Sequence, residues 1–411
     1  MTQRYDTYKD SGVQWLGEIP GHGGCVFINR LFNIKAGGDV KPELYADKKD
    51  ENHPFPVYTN TKSADDVYAY TSLATCPSNS ITVTGRGEVG HAIFRETPYD
   101  AIVRLLSLTP KSNIICKFYA YFIDTVIPFS SDSAAIGQLS AVQIKQKHVT
   151  LPPLSEQRSI VSFLDAKCGK IDEWVTKKQK EVEHLQEFKQ RVIADAVTRG
   201  LNPHVKMKAT NIPWLKEIPE HWECVKLKMF CQDNKEKNKG NIESCVLSLS
   251  YGNIIVKKNV NFGLVPENYD SYQIVNPGNI ILRLTDLQND HKSLRTGLVK
   301  NRGIITSAYV GLIVKNMNSE YTQLILHSYD VMKVFYGMGG GLRQSMSYTD
   351  IANVYIPVPP LSEQKQIVSY LDTKTSQIDK LIAHITKEIE CIKEYKQRLI
   401  SDVVTGQIKV C

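Results

Sequence analysis

One long segment of this chain occurs twice. Residues 151–200 read LPPLSEQRSIVSFLDAKCGKIDEWVTKKQKEVEHLQEFKQRVIADAVTRG, and residues 358–407 read VPPLSEQKQIVSYLDTKTSQIDKLIAHITKEIECIKEYKQRLISDVVTGQ. The offset is 207 without gaps and 25 of 50 positions are identical, far beyond chance, so the chain is an internal duplication. A shorter repeat precedes each copy: SGVQWLGEIPGHGGCV at 11–26 matches TNIPWLKEIPEHWECV at 210–225. Trp15 aligns with Trp214, and Gly23 stands where the second copy has Trp222, which predicts weaker packing in the first copy. The inserts between these pieces, 27–150 and 226–357, do not align. A repeated frame with divergent inserts repeats one structural job while the inserts differ in what they contact.

The duplicated segment has the marks of a long helix. Pro152-Pro153 and Pro359-Pro360 suit a helix start, with Ser155 and Ser362 as N-caps and Glu156 and Glu363 at the positive helix end. Gly200 and Gly406 stand where C-capping glycines are expected. Between these signals apolar residues recur every 3.5 positions: Leu164, Ile171, Val175, Val182 and Leu185 in the first copy, and Leu371, Ile378, Ile382, Ile385, Ile389, Ile392 and Leu399 in the second. Lys189 and Lys396 fall in the same seam. A heptad seam held this long indicates a coiled coil, each helix ~65 Å long. Pairing the two helices antiparallel makes the halves equivalent by a pseudo-two-fold axis and brings the C-terminus to the N-terminal motif. The expected fold is α+β, two globular domains joined by two long antiparallel coiled-coil helices in cyclically permuted half-repeats. Its divisions are 1–150, the helix 151–200, 201–357 and the helix 358–411.

Composition narrows the class further. Lys and Arg total 50 against 43 Asp and Glu, a mild excess of +7 that permits a nucleic-acid partner without demanding one. Residues 1–154 balance at 15 basic and 15 acidic, whereas 202–357 carry 18 and 13, so clustering must supply any phosphate contacts. No run of ~18 apolar residues exists, and MTQRYDTYKD has no apolar stretch, which predicts a cytoplasmic chain without a membrane span. Nine cysteines without a C-x-x-C pair read as reduced, inert thiols. No metal site is expected.

The order insert, PPLSEQ helix, insert, PPLSEQ helix resembles the specificity subunit of Type I restriction–modification systems. The residues carrying the resemblance are Pro152, Pro153, Leu154, Ser155, Glu156 and Gln157, their copies Pro359, Pro360, Leu361, Ser362, Glu363 and Gln364, and the WLGEIP and WLKEIP segments; Gly21, Gly23 and Gly24 depart from the pattern. The resemblance implies two target recognition domains, each reading half of a bipartite, asymmetric double-stranded DNA site. It implies helices that act as a ruler and bind two methyltransferase subunits, with motor-nuclease subunits completing the enzyme. It also implies no catalytic residue in this chain, with S-adenosylmethionine, ATP and magnesium confined to the partners.

Candidate DNA contacts can be named in each insert. In the first they are Lys62, Arg86 and Gln138. Arg86 sits in Gly85-Arg86-Gly87-Glu88-Val89-Gly90, where glycines let backbone approach phosphate and arginine can hold phosphate or a guanine edge. In the second they are Arg283, Gln288 and Asn289 within LRLTDLQND, then Arg343, Gln344 and Tyr348 before the PPLSEQ segment. Each has a plainer reading: a hairpin turn, a buried strand with a polar loop, or a hinge. The β-type runs 80–84 and 279–284 predict mixed α+β inserts. No methyltransferase Asp/Asn-Pro-Pro-Tyr/Phe motif, G-x-x-x-x-G-K-[ST] or H-E-x-x-H is present, and His22 and His221 read as packed frame residues. A coiled-coil adaptor that binds only proteins would explain the helices but not the inserts; an unrecognised nuclease is a third reading. The isolated chain is expected to bind DNA weakly.

Overall fold

The computed structural model describes residues 4–129, 138–257, 268–287, 294–338 and 345–410. It forms two compact units, Met1–Gln179 with Lys387–Cys411, and Lys180–Thr386. The duplicated segment is two helices, Leu154–Arg199 and Leu361–Val404. Each starts directly after its Pro-Pro pair, so Ser155 and Ser362 lie in the first turn and not at the cap, a correction to the sequence reading. The Pro153 and Pro360 carbonyls accept the first helical bonds, from Gln157 N and Gln364 N at 3.0 Å, so the helix begins at the prolines and not at the serines. Gln157 and Gln364 fasten the starts instead, each donating from Nε2 to the carbonyl of Pro152 or Pro359 at 2.9 Å. Both helices end as expected at a left-handed glycine, with φ of +77° at Gly200 and +78° at Gly406. A Cβ on Gly406 would stand 2.4 Å from Pro20 Cγ, so this helix end packs onto the N-terminal motif.

In the first unit Ile160, Leu164 and Cys168 share a core with Leu399, Ile400, Val403 and Val404. An early stretch of one helix thus meets a late stretch of the other, and the pair is antiparallel. The second unit pairs Ile193, Ala196 and Val197 with Ile367, Val368 and Leu371 in the same sense. Of the seam residues, Leu164, Val175, Leu371, Ile378, Ile385, Ile389 and Leu399 are buried and Ile171, Val182, Leu185, Ile382 and Ile392 half-buried. The seam lysines keep their stems in the apolar row and carry the charge to its edge. Lys396 Nζ reaches Asp172 in the first unit and Lys189 Nζ reaches Asp379 in the second, both at 2.7 Å. By the 207-residue offset each ion pair is the copy of the other.

Each unit hangs its insert from the same small frame. Tyr8–Asp10 pairs with Glu18–Pro20, and Met207–Ile212 with Leu215–Pro219. Gly24–Phe27 pairs with His148–Leu151, and Glu223–Lys226 with Tyr355–Val358. The first unit is closed from the far end of the chain. Gln407 Nε2 donates to the Glu18 carbonyl at 2.8 Å, Tyr8 Oη to that of Gly406 at 2.9 Å, and Thr150 Oγ1 to that of Val404 at 3.2 Å. The second unit draws the matching segment from directly behind its own first-helix end, where Tyr321 Oη donates to the Val197 carbonyl at 3.0 Å.

The unalignable inserts share a sheet. One is ordered Phe32–Ala36, Leu106–Pro110, Ser80–Val83, Ala92–Arg95; the other Cys231–Asp233, Val310–Val314, Ile280–Leu282, Thr296–Leu298; all neighbours are antiparallel. The two runs read from sequence as strands occupy the same third place. A helix follows each sheet, Cys116–Val126 and Ser319–Val331. Among the described residues the remaining insert strands diverge, forming one further four-stranded sheet in the first insert and two separate strand pairs in the second. Among the described residues no helix is long and apolar enough to cross a membrane.

Candidate nucleic-acid interface

The PPLSEQ carboxylate and amide point into the protein. Glu156 accepts from His22 Nε2 at 2.8 Å and from Tyr5 Oη; Glu363 accepts from His221 Nε2 at 2.9 Å and Trp222 Nε1 at 3.0 Å. Tyr5 thus replaces the indole that the first copy lacks at Gly23. An aromatic donor from another part of the chain so restores the hydrogen bond, while Gly23 and Gly24 line a small cavity beside Glu156. Gln157 Oε1 accepts from Ile115 N at 3.0 Å and Gln364 Oε1 from Asn318 N at 2.9 Å. Each glutamine so ties its long helix to the start of the insert helix. Pro153, Pro360 and Leu361 remain exposed at the helix starts, while Pro152 and Leu154 are half-buried and Pro359 is buried.

The joint just upstream is also repeated. Ser140 opens the turn Ala141–Lys145 with a capping box to Gln143, and Ser347 opens Tyr348–Ile351 with one to Asp350. Leu139 N donates to the Gly85 carbonyl, and Met346 N to that of Leu284, each at 2.9 Å. Frame and third strand therefore meet identically in both units, beside the loops predicted to touch DNA.

In the first unit Lys62, Arg86 and Gln138 come together. The 85–90 run is a hairpin loop between Ser80–Val83 and Ala92–Arg95, so its plainer reading holds alongside any contact role. Arg86 and Gln138 form an isolated antiparallel bridge. Asn60 Oδ1 accepts from Gly85 N at 2.7 Å and Arg86 N at 3.2 Å, fixing the loop. The exposed Lys62 pairs with Glu88 across it. Beneath, His91 Nδ1 meets Asp124 at 2.5 Å while Nε2 donates to the Lys62 carbonyl at 2.8 Å. The Asp124 carboxylate raises the His91 pKa above its ordinary value. Buried Arg95 lies 3.5 Å from the Tyr58 ring centroid and donates to the Ala64 carbonyl at 2.9 Å, holding the loop that carries Lys62; burial lowers its pKa.

The second unit uses a different brace. Fully buried Arg295 donates to the carbonyls of Arg283 at 3.1 Å, Thr285 at 2.8 Å and Asp286 at 3.3 Å. Arg283 itself is half-buried at the end of its strand. Tyr348 donates its hydroxyl to the Cys231 carbonyl at 2.8 Å and packs against the core, which gives it a bracing contact. Gln288, Asn289, Arg343 and Gln344 lie outside the described residues. Sequence reading missed Asn60, His91 and Arg295. None had a signal, since a lone polar residue shows its partner only once the chain is folded.

The family model for the Type I restriction modification DNA specificity domain matches residues 26–184 and 219–391. The chain belongs to this family. The type I restriction enzyme MjaVIII specificity subunit of Methanocaldococcus jannaschii is 25% identical over 74% of this chain and 73% of its own length. The EcoBI specificity subunit of Escherichia coli is 22% identical over 69% and 63%. A solved chain described for complex assembly and conformational transition of the type I R–M system shares the fold, with a TM-score of 0.68 at 13% identity over 94% of this chain and 98% of that one. Both family matches begin in the frame and cross an insert into a long helix, as the duplication requires.

Proposed function

We propose that this chain is the DNA-specificity subunit of a type I restriction–modification enzyme, each insert reading one half of a bipartite, asymmetric site. The observation that carries this is the repeated joint: one frame presents two loop sets of different sequence from equivalent strands. Lys62, Arg86 and Gln138 serve one half-site, and Arg283 with Gln288, Asn289, Arg343 and Gln344 the other. The long helices set the half-site separation and hold two methyltransferase subunits. Support for that docking comes from large apolar side chains left exposed on them, Phe188, Tyr370 and Leu381 in one unit and Tyr395 in the other. Catalysis, S-adenosylmethionine, ATP and magnesium belong to partner subunits in the cytoplasm, motor-nuclease subunits among them. The protein-only adaptor is disfavoured, because it needs no pair of braced polar loops.

Modified-base sequencing of host DNA with and without the gene tests this reading. One bipartite methylated motif should vanish on deletion. If no motif depends on the gene and the chain co-purifies with no methyltransferase, the specificity reading is wrong.

A further inference from the structure

We propose that Arg104 reads a base in the first half-site and that Asn60 positions it; this rests on the specificity reading above. Val103 and Arg104 are consecutive non-glycine residues in the left-handed region, with φ of +52° and +60°. L side chains seldom adopt it, and a β-branched residue least of all. Such a turn persists only where its surroundings fix it. Here Val103 N donates to the Gly38 carbonyl at 2.8 Å, Leu105 N to that of Ile102 at 3.1 Å, and Asn60 Nδ2 to that of Val103 at 2.8 Å. The Val103 side chain packs on the small core of Val57, Ala69 and Ile102, and Arg104 is exposed. Among the described residues no group pairs with its guanidinium.

Asn60 also holds Gly85 and Arg86 through its carbonyl oxygen, so one amide gathers two arginine-bearing turns. They touch closely: a Cβ on Gly85 would stand 2.8 Å from the Arg104 carbonyl oxygen. A phosphate contact tolerates a mobile side chain. A guanine edge asks a guanidinium to meet two acceptors at once, which favours a fixed origin. A strained turn held by three hydrogen bonds supplies that origin.

The test uses the complete chain co-expressed with its modification partner, with methylated motifs read from host DNA. Absence of any bipartite motif with the natural chain overturns the specificity reading itself, and this inference with it. Given a motif, Arg104→Ala is expected to relax one base position in one half by about tenfold or more, leaving the other half unchanged. Arg104→Lys keeps the charge but not the fork, and should relax the same position. Asn60→Asp keeps the acceptor for Gly85 and Arg86 and loses the donor to Val103, so it should match Arg104→Ala. An unchanged motif in Arg104→Ala, or an even loss of methylation at all sites, overturns base reading; the second is the mark of a phosphate contact. A relaxed motif in Arg104→Ala beside an unchanged one in Asn60→Asp overturns the positioning role. Unfolding midpoints within a few degrees of the natural chain separate a change of specificity from a failure to fold.

Discussion

His91 donates from both ring nitrogens to groups that can only accept, so its imidazolium is the form the fold favours. Its pKa is raised, chiefly by the hydrogen bond to Asp124. The folded state then binds the proton more tightly than the unfolded state. The stabilisation is full below about pH 6.5 and is lost as pH rises through the raised value. His327 has the opposite sign. Burial lowers its pKa to about 4, and its Nε2 lies 3.2 Å from Gln190 Oε1. The unfolded state takes the proton first, so stability falls as pH drops from about 6.5 toward 4, by at most ~3 kcal/mol. Urea midpoints across this range should flatten on the alkaline side in His91→Gln and on the acid side in His327→Gln; slopes that persist in the variants assign them to other groups. Gln157→Leu should cost roughly 2–4 kcal/mol, since it strands Ile115 N and the Pro152 carbonyl, and a drop in urea midpoint measures it. The sequence marked Gln157 through its repeated motif. It could not mark Asn60, whose partners lie 25, 26 and 43 residues away.

Helices were the most legible elements, because a heptad seam writes burial directly into spacing. Leu164 and Leu371, read as core from period alone, are 0% and 1% exposed. The lysines inside that seam needed the structure. Lys189–Asp379 and Lys396–Asp172 are partly solvated pairs with the aspartates more than half exposed, so a double-mutant cycle should give a coupling below about 1 kcal/mol. Lys396→Leu should leave the unfolding midpoint unchanged or raised; a large fall would mean the pair contributes far more than exposed pairs do. The helix starts were misread by two residues because serine shortly after Pro-Pro looks like a cap. The insert sheets were legible only as isolated runs. Ser80–Val83 and Ile280–Leu282 share a topological place without shared residues, since a buried strand requires apolar or small side chains and little else.

At the scale of the whole molecule, the half-repeat organisation was readable because duplication leaves identities, whereas the inserts have diverged and leave none. Exchanging residues 27–150 for another insert of the family should change one half of the methylated motif and leave the other intact; alteration of both halves would show that the inserts do not read independently. The closure of the first unit by the far end of the chain also sets an order of events at the ribosome. Met1–Gln179 emerges first, yet its core includes Leu399, Ile400 and Val403. About 200 residues must be translated between the two, which at roughly 5–20 residues per second takes about 10–40 s. The second unit, one uninterrupted stretch, is complete before that wait ends. The insert translated first is the last to be closed, and a ribosome stalled within the second long helix would leave Ile160 and Leu164 open to a neighbouring nascent chain.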